Sequence, residues 1–301
     1  MDARQLKYFL AVVDEGGISR AADALLIAQP SLSQAIGTLE RELGVPLFHR
    51  IGRRLVLSDA GQTLIGPART VLRDLDNAAA SVHALKELRG GTVDLVTMPS
   101  PGVEPLTTIL AGFARAYPAV AVNAAAAFTP DEILRAVRSG ASEIGILGAP
   151  TQIQTADLDT VHLESQPLIL ICGPTDHPLP PVVEHTDLEG LRLIVSHRGS
   201  LMRSLVEDVL ASGVHATIAA EVAHRTSILP MVLGGIGHAV MPSAWATTAR
   251  RAGATVHRIV PERYLHVAAV SRRDGLTPPA RTFMRETRRY AERSAHSSPT
   301  I

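Results

Sequence analysis

The stretch AQPSLSQAIGTLEREL, residues 28–43, carries two stripes of different chemistry. Ser31, Gln34 and Thr38 fall at i, i+3 and i+7, which puts short, uncharged hydrogen-bonding side chains on one helical face. Leu32, Ile36, Leu39 and Leu43 fall at i, i+4, i+7 and i+11 on another face. A face meant only for water more often carries Lys and Glu, which are better helix formers than Ser or Thr. What the Ser/Gln/Thr set can do is recognise base edges. Gln pairs with adenine through two hydrogen bonds, Ser reaches several bases, and Thr also touches the thymine methyl. Taken alone, the stripe reads first as a solvated face of unusual composition, so the neighbouring elements decide.

Those neighbours form a compact pattern. Leu6, Phe9, Leu10 and Val13 make one apolar helical stripe, which Gly16-Gly17 ends. Ser19 is placed to cap a short second helix, RAADALL, whose Ala21 and Ala22 permit close helix contact. After IAQ, Pro30 suits the first position of a third helix, where a missing N–H is harmless. Two short helices joined by a tight turn, the second with a polar outer face, make a helix-turn-helix. Its second helix enters the major groove, N-terminal residues first. This nominates Gln29, Pro30, Ser31, Ser33, Gln34 and Thr38 as DNA-contacting residues, with Ser19 beside them. Glu40 and Glu42 lie toward the other end, away from the expected groove contact.

After Gly44, VPLFHRIGRRLVL reads as two short apolar runs around RIGRR, a hairpin with its turn near Gly52. Beside a helix-turn-helix, Arg50, Arg53 and Arg54 at its tip become a wing for phosphates or the minor groove. Within residues 1–58, seven Lys and Arg barely exceed six Asp and Glu. Affinity then depends on where the charges sit and on having two copies of the domain. Ser58 is placed to cap a helix from Asp59 to about Leu88, with Gly66-Pro67 as a kink near its start. Its Leu64, Ala68, Val71, Leu75, Ala78, Val82 and Leu85 alternate spacings of four and three, a heptad seam suited to self-pairing. Two paired copies would set two reading heads on neighbouring turns of a duplex. Arg89-Gly90-Gly91 ends the helix.

Over the whole chain, 301 residues suggest two or three units and 46% hydrophobic residues suffice for packed cores. Net charge is zero, so any basic patch must be local. Cys172 is the only cysteine, which excludes an intramolecular disulfide and a Cys-rich metal site. MDARQLKYFL does not read as a secretory signal, and no apolar run reaches transmembrane length. A soluble, cytoplasmic protein without membrane association is expected. Among the twelve histidines, His215, His224, His238, His257 and His266 lie in the second half without tight ligand spacing, so no metal is expected. No nucleophile elbow, P-loop or dinucleotide fingerprint appears; no cofactor and no catalytic residue are nominated.

FLAVVDEGGISRAADALLIAQPSLSQAIGTLERELGVPLFHRIGRRLVLSDAGQTL resembles the winged helix-turn-helix and linker start of the LysR-type transcriptional regulators. DHPL, GGIGHAVMPSAWA and the final strand and helix resemble that family's effector domain more loosely. The resemblance implies dimers or tetramers, promoter DNA as partner, and a small-molecule inducer. Two departures stand out. The family's recognition helix often carries a basic residue where this chain has Gly37 or Thr38, and its peroxide sensors need a second cysteine.

From Thr92 the pattern alternates strands and helices: TVDLVTM, then GVEPLTTILAGFARAY as one helix, AVAVNAAAAF, DEILRAVRSG and EIGILG. Such alternation argues for a parallel α/β sheet. A second set begins near His162 and includes QPLILICG, DLEGLRLIVS, SLMRSLVEDVLASG, TIAAEV, SILPMVLGG and GHAVMPS. LHVAAVS and a helix from Pro279 to Arg293 follow. The expected organisation is a winged helix-turn-helix over residues 1–58, a linker helix over 59–90, and a two-subdomain α/β effector domain over 91–301, shaped like a periplasmic binding protein. By resemblance, subdomain I takes 91–162 and 268–301 and subdomain II takes 163–267. Crossovers near Gly148–Pro150 and Leu265–Ala268 would act as hinges around a ligand cleft.

Ligands of such sheets bind at strand C-terminal ends. That nominates Pro99, Ser100, Phe128, Thr129 and Gly148 in one subdomain and Ser196, His197, Arg198 and Thr226 in the other. Helix N–H groups with Ser and Thr hydroxyls favour a carboxylate, with Arg198 to pair it and His197 to donate. Each Ser or Thr alone reads as a simple N-cap. The expected function is a promoter-binding regulator modulated by a small molecule. The alternative is a two-lobed small-molecule-binding protein or enzyme with an N-terminal module that does not read DNA.

Overall fold

The computed structural model describes residues 1–51, 54–83, 90–173 and 179–295. The N-terminal head is three helices and a hairpin. Helix α1 (Ala3–Asp14) starts in a capping box, Asp2 accepting from the Gln5 N–H while Gln5 reaches back. Helix α2 (Ile18–Ala24) has Gly17, not Ser19, as its N-cap, so the helix begins two residues early and Ser19 stands exposed in its first turn. Helix α3 (Gln29–Leu43) holds Pro30 at its second position rather than its first. It ends at Gly44, whose φ of 73° is the left-handed geometry that glycine adopts without penalty. Leu6, Phe9, Leu10, Val12, Ala21, Ala22, Leu32, Ile36, Leu39 and Leu47 close one buried core.

Strands β1 (Phe48–Ile51) and β2 (Arg54–Leu57) pair antiparallel as the expected hairpin, Phe48 opposite Leu57. Helix α4 (Asp59–His83) follows, and Ser58 holds its start: Ser58 Oγ accepts from the Gly61 N–H at 3.0 Å and donates to the Pro46 carbonyl at 2.7 Å. The seam expected on α4 is divided in use. Leu64 and Ala68 pack into the head's own core, because the first turns of α4 close the helix-turn-helix. Val71 and Leu75 remain 42% and 50% exposed. Ala78 and Val82 lie on the helix with side chains outside the described set, and Leu85 lies outside the described residues. Further along, α4 touches the next domain, Arg73 Nη2 donating to the Gly140 carbonyl at 2.5 Å.

The second part is α/β. Its elements run β3 (Thr92–Thr97), α5 (Pro99–Val103), α6 (Leu106–Ala116), β4 (Ala121–Ala126), α7 (Pro130–Arg138), β5 (Ile144–Ala149) and β6 (Leu158–Cys172). They continue through β7 (Val182–Glu184), β8 (Arg192–Ser196), α8 (Leu201–Ala211), β9 (Thr217–Val222), α9 (Ile228–Leu233) and β10 (Ala239–Pro242). Then come α10 (Ala246–Arg251), β11 (Thr255–Val260), β12 (Tyr264–Arg272) and α11 (Pro278–Ala295). The single helix expected over GVEPLTTILAGFARAY is two, because the residue before Pro105 is forced out of the helical region. Strands β7 and β11 and helix α10 had no counterpart in the sequence reading.

The order β4-β3-β5-β12-β6-β11-β7 defines two lobes that share β6. Strands β4, β3 and β5 are parallel, and β12 runs antiparallel between β5 and β6. Residues 158–167 of β6 pair with β12, whereas 168–172 pair with β10 and β11. The change of lobe therefore falls near Gln166–Leu168 and just before Tyr264. These points lie a few residues from the expected 162–163 and Leu265–Ala268, with a register shift in β12 at Val267/Ala268, whereas Gly148–Pro150 closes β5, which pairs with β3 and β12. The first lobe is packed by Val93, Leu95, Phe113, Ile144, Val267 and Phe283, with α11 returning to cover it. The second is packed on its two faces by Leu168, Leu170, Val195 and Leu205, and by Ile169, Ile171, Leu229 and Trp245.

Glu143, fully buried before β5, anchors the turn ahead of α11 by accepting from the Thr277 N–H at 2.9 Å. Burial pushes its carboxyl above the usual glutamate range. A raised folded pKa means that the neutral acid favours the fold. That stabilisation is full below the ordinary range and is lost as pH rises through the raised value. Glu143→Gln keeps the acceptor and removes the ionisation. Its melting temperature relative to wild type is expected to climb as pH rises above the ordinary glutamate range; a flat difference in a pH series of thermal melts contradicts this.

Candidate DNA-reading face and interlobe cleft

Burying Leu32, Ile36 and Leu39 forces the opposite side of α3 outward. Ser31 and Gln34 are exposed and Thr38 is half-buried, along a groove of about 520 Å³ between α1 and α3. Arg4 and Tyr8 of α1 line the same groove. Arg4 Nε donates to the Tyr8 hydroxyl at 2.8 Å, and its guanidinium lies 5.3 Å from the ring centroid. Gln29 and Pro30 are exposed at the start of α3, and Ser33 is half-buried on an adjoining stripe. Arg41 Nη2 donates to Thr38 Oγ1 at 2.8 Å, which brings a cation to a face that the sequence reading had left neutral. Glu40, the carboxylate that would repel phosphate, is turned inward. Its Oε1 accepts from the Leu47 and Phe48 N–H groups at 2.7 and 3.1 Å and so sets the base of the hairpin. Arg50 and Arg54 flank the hairpin tip with side chains outside the described set, and Arg53 lies outside the described residues.

The two lobes meet where α5 rests on the 3-10 turns Arg225–Ser227 and Ser243–Trp245. Ser100 is fully buried there, and Trp245 Nε1 lies 3.5 Å from its Oγ. Pro99 is half-buried beside it. On the next rim, Thr129 Oγ1 caps α7 by accepting from the Glu132 N–H at 3.3 Å. Glu132 in turn accepts from the Phe128 N–H at 2.7 Å, which leaves the Phe128 ring 40% exposed. The Phe128 N–H does most to hold the Glu132 carboxyl below its usual range, and the charge of His197 in the other lobe lowers it further. Glu132 of α7 and His197 of the other lobe thus lie within electrostatic reach of one another. His197 Nδ1 is buried without a partner. Ser196 and Ser200 are both buried and bonded hydroxyl to hydroxyl, Ser200 also capping α8.

Three nominated residues sit differently. Gly148 is packed under β12, where a Cβ would fall 2.8 Å from Leu265 Cγ. Arg198 and Thr226 are exposed. The residue beside Thr226, Arg225, is the one that is buried, with Nε and Nη1 unpartnered. The sequence reading passed over it because nothing in HRTSILP says which side chain of a short turn faces in.

The first sixty residues and the α/β part each match a family model. Residues 3–62 match the bacterial regulatory helix-turn-helix protein, lysR family, and residues 86–292 match the LysR substrate binding domain. The chain belongs to the LysR family. Among LysR-family relatives, the HTH-type transcriptional regulator GbpR of Azospirillum brasilense is 32% identical over 207 residues, 68% of this chain. The chain spans about 60% of that relative's length. The uncharacterized HTH-type transcriptional regulator YfeR of Shigella flexneri is 28% identical over 262 residues, 86% of this chain and 83% of its own. Full-length CbnR, solved in complex with its target DNA, shares the fold at a TM-score of 0.73 and 24% identity, covering 97% of this chain and 100% of its own.

Read as a LysR-family chain, the winged helix-turn-helix and the two-lobed domain are the two modules that the family models describe. Among the described residues no helix is long and apolar enough to cross a membrane, and no three His, Cys, Asp or Glu side chains gather as a metal site. Cys172 is buried at the end of β6, and burial pushes its thiol up to about 12, which keeps it from forming the thiolate that redox chemistry needs.

Proposed function

We propose that this protein is a sequence-specific DNA-binding transcriptional regulator, working in the cytoplasm as a homodimer or homotetramer, whose hold on promoter DNA is modulated by a small molecule in the interlobe cleft. The observation that carries the reading is α3. Its apolar stripe is consumed by the head's core, which leaves Ser31 and Gln34 exposed and Thr38 beside Arg41, where a major groove would meet them. The exposed Val71 and Leu75 of α4 supply an apolar seam for a second copy. The reading assigns no catalysis. Thr129 and Ser200 already serve as helix caps, and Ser196 is bonded to Ser200. By linkage, cleft ligand and DNA alter each other's affinity by the same factor.

The test is a mobility shift on the intergenic DNA upstream of the protein's own reading frame. Gln34→Ala is expected to relax preference for specific over scrambled sequence by about 1–3 kcal/mol, at least several-fold. Ser33→Ala acts in the same direction. Arg53→Ala weakens all sequences alike and flattens the salt dependence. A Gln34→Ala protein with unchanged sequence preference removes base readout from this helix.

A further inference from the structure

Two arginines in the second lobe are buried to the same degree and treated in opposite ways. Arg203 and Arg225 are each 4% exposed. Arg203 is compensated twice, its Nε 2.8 Å from Glu207 and its Nη1 3.0 Å from Glu221. Among the described residues Arg225 has no carboxylate partner, and its Nε and Nη1 are buried without a hydrogen bond. Desolvation alone acts on it, lowering its affinity for its proton. A guanidinium stays protonated in proteins, so it cannot escape the penalty by titrating. A buried cation without a counter-charge is costly, and proteins retain one where something else supplies the anion.

Its location says what that is. Arg225 opens the 3-10 turn on which α5 of the first lobe rests, so it belongs to the seam between lobes and not to the interior of one. Ser100 and Trp245 meet at the same seam, where α5 also touches the turn that ends in Trp245. We infer that Arg225 is the anion-binding residue of this cleft and that the small molecule carries a carboxylate, held by the guanidinium, with an organic body against Trp245. This rests on the cleft being the ligand site proposed above. A carboxylate fits better than a phosphate monoester. One guanidinium neutralises one negative charge, whereas a dianion would leave net charge buried. The planar fork of arginine matches the two carboxylate oxygens.

The test uses the full chain in two measurements. The first needs no ligand. Arg225→Met removes an uncompensated buried charge and is expected to melt at or above the wild-type temperature. A melting temperature lowered by several degrees means that the guanidinium is already satisfied by the protein, which overturns the inference. The second compares acetate, benzoate and succinate with their neutral amides and with inorganic phosphate, in chloride of matched ionic strength. At least one carboxylate is expected to raise the wild-type melting temperature while its amide does not. Arg225→Met should lose that response, and Arg225→Lys should keep only part of it. An amide as effective as its acid, a stronger response to phosphate, a response that survives in Arg225→Met, or no response from any carboxylate overturns the inference. The mobility shift on promoter DNA separates its failure from that of the regulator reading. DNA binding that persists alongside any of these outcomes leaves the regulator standing and removes only the anion site.

Discussion

Phe9→Ala is expected to unfold the DNA-reading head and abolish DNA binding while leaving the effector domain folded. Phe9 is fully buried and stacks at a tilt on Phe48 of the hairpin, ring centroids 5.6 Å apart. It shares its core with Leu6, Leu32 and Leu39, so it joins the helix that positions α3 to the wing that flanks it. Removing a buried phenyl group costs about 3–5 kcal/mol, a large share of the 5–15 kcal/mol by which small domains are stable. The head has no reserve elsewhere, since a unit of roughly sixty residues buries proportionally little surface. The chain offers a clean readout. Trp245, its only tryptophan, lies buried in the second lobe. Tryptophan fluorescence should melt as in wild type, while hydrogen exchange over α1 to α3 rises toward the unfolded rate. If Trp245 and the head lose structure together, the two cores are coupled in a way that the separate packing of their side chains does not show.

Phe283→Ala carries an effect of similar size in the other module. Phe283 of α11 is fully buried and meets Phe113 of α6 edge to face, centroids 5.1 Å apart and rings at 68°. It sits on the sheet beside Val93, Leu95 and Val267. A loss of about 3–5 kcal/mol is expected, seen as a lower urea midpoint with unchanged slope and as faster exchange in β3 and β5. An unchanged midpoint would mean that α11 does not cover the first lobe. In that variant the head should still bind DNA, but with the cleft ligand's influence weakened, because Ser100 and Thr129 belong to the lobe whose core Phe283 helps to close.

Much of the head was legible because its signals are local. The i, i+4, i+7 spacing of Leu32, Ile36 and Leu39 fixes which side of α3 is buried, and the complementary stripe must then face out. Glycine at Gly44 and the caps at Ser58 and Thr129 announce element ends from a few neighbouring residues. The linker was less legible. Its seven-residue seam is continuous in sequence, yet the first part closes the head and only Val71 and Leu75, among the described side chains, remain exposed.

The amino-acid order by itself determined the winged helix-turn-helix, the alternation of strands and helices, and the exposure of Ser31 and Gln34, since each follows from periodicity within one element. Tertiary structure decided the rest. It put Arg41 beside Thr38, turned Glu40 onto the hairpin backbone, ran β6 through both lobes, and brought α5 onto the turn holding Arg225. Burial of a lone cation depends on which distant segments enclose it, and the residues that could neutralise it are defined only once the chain has closed around it.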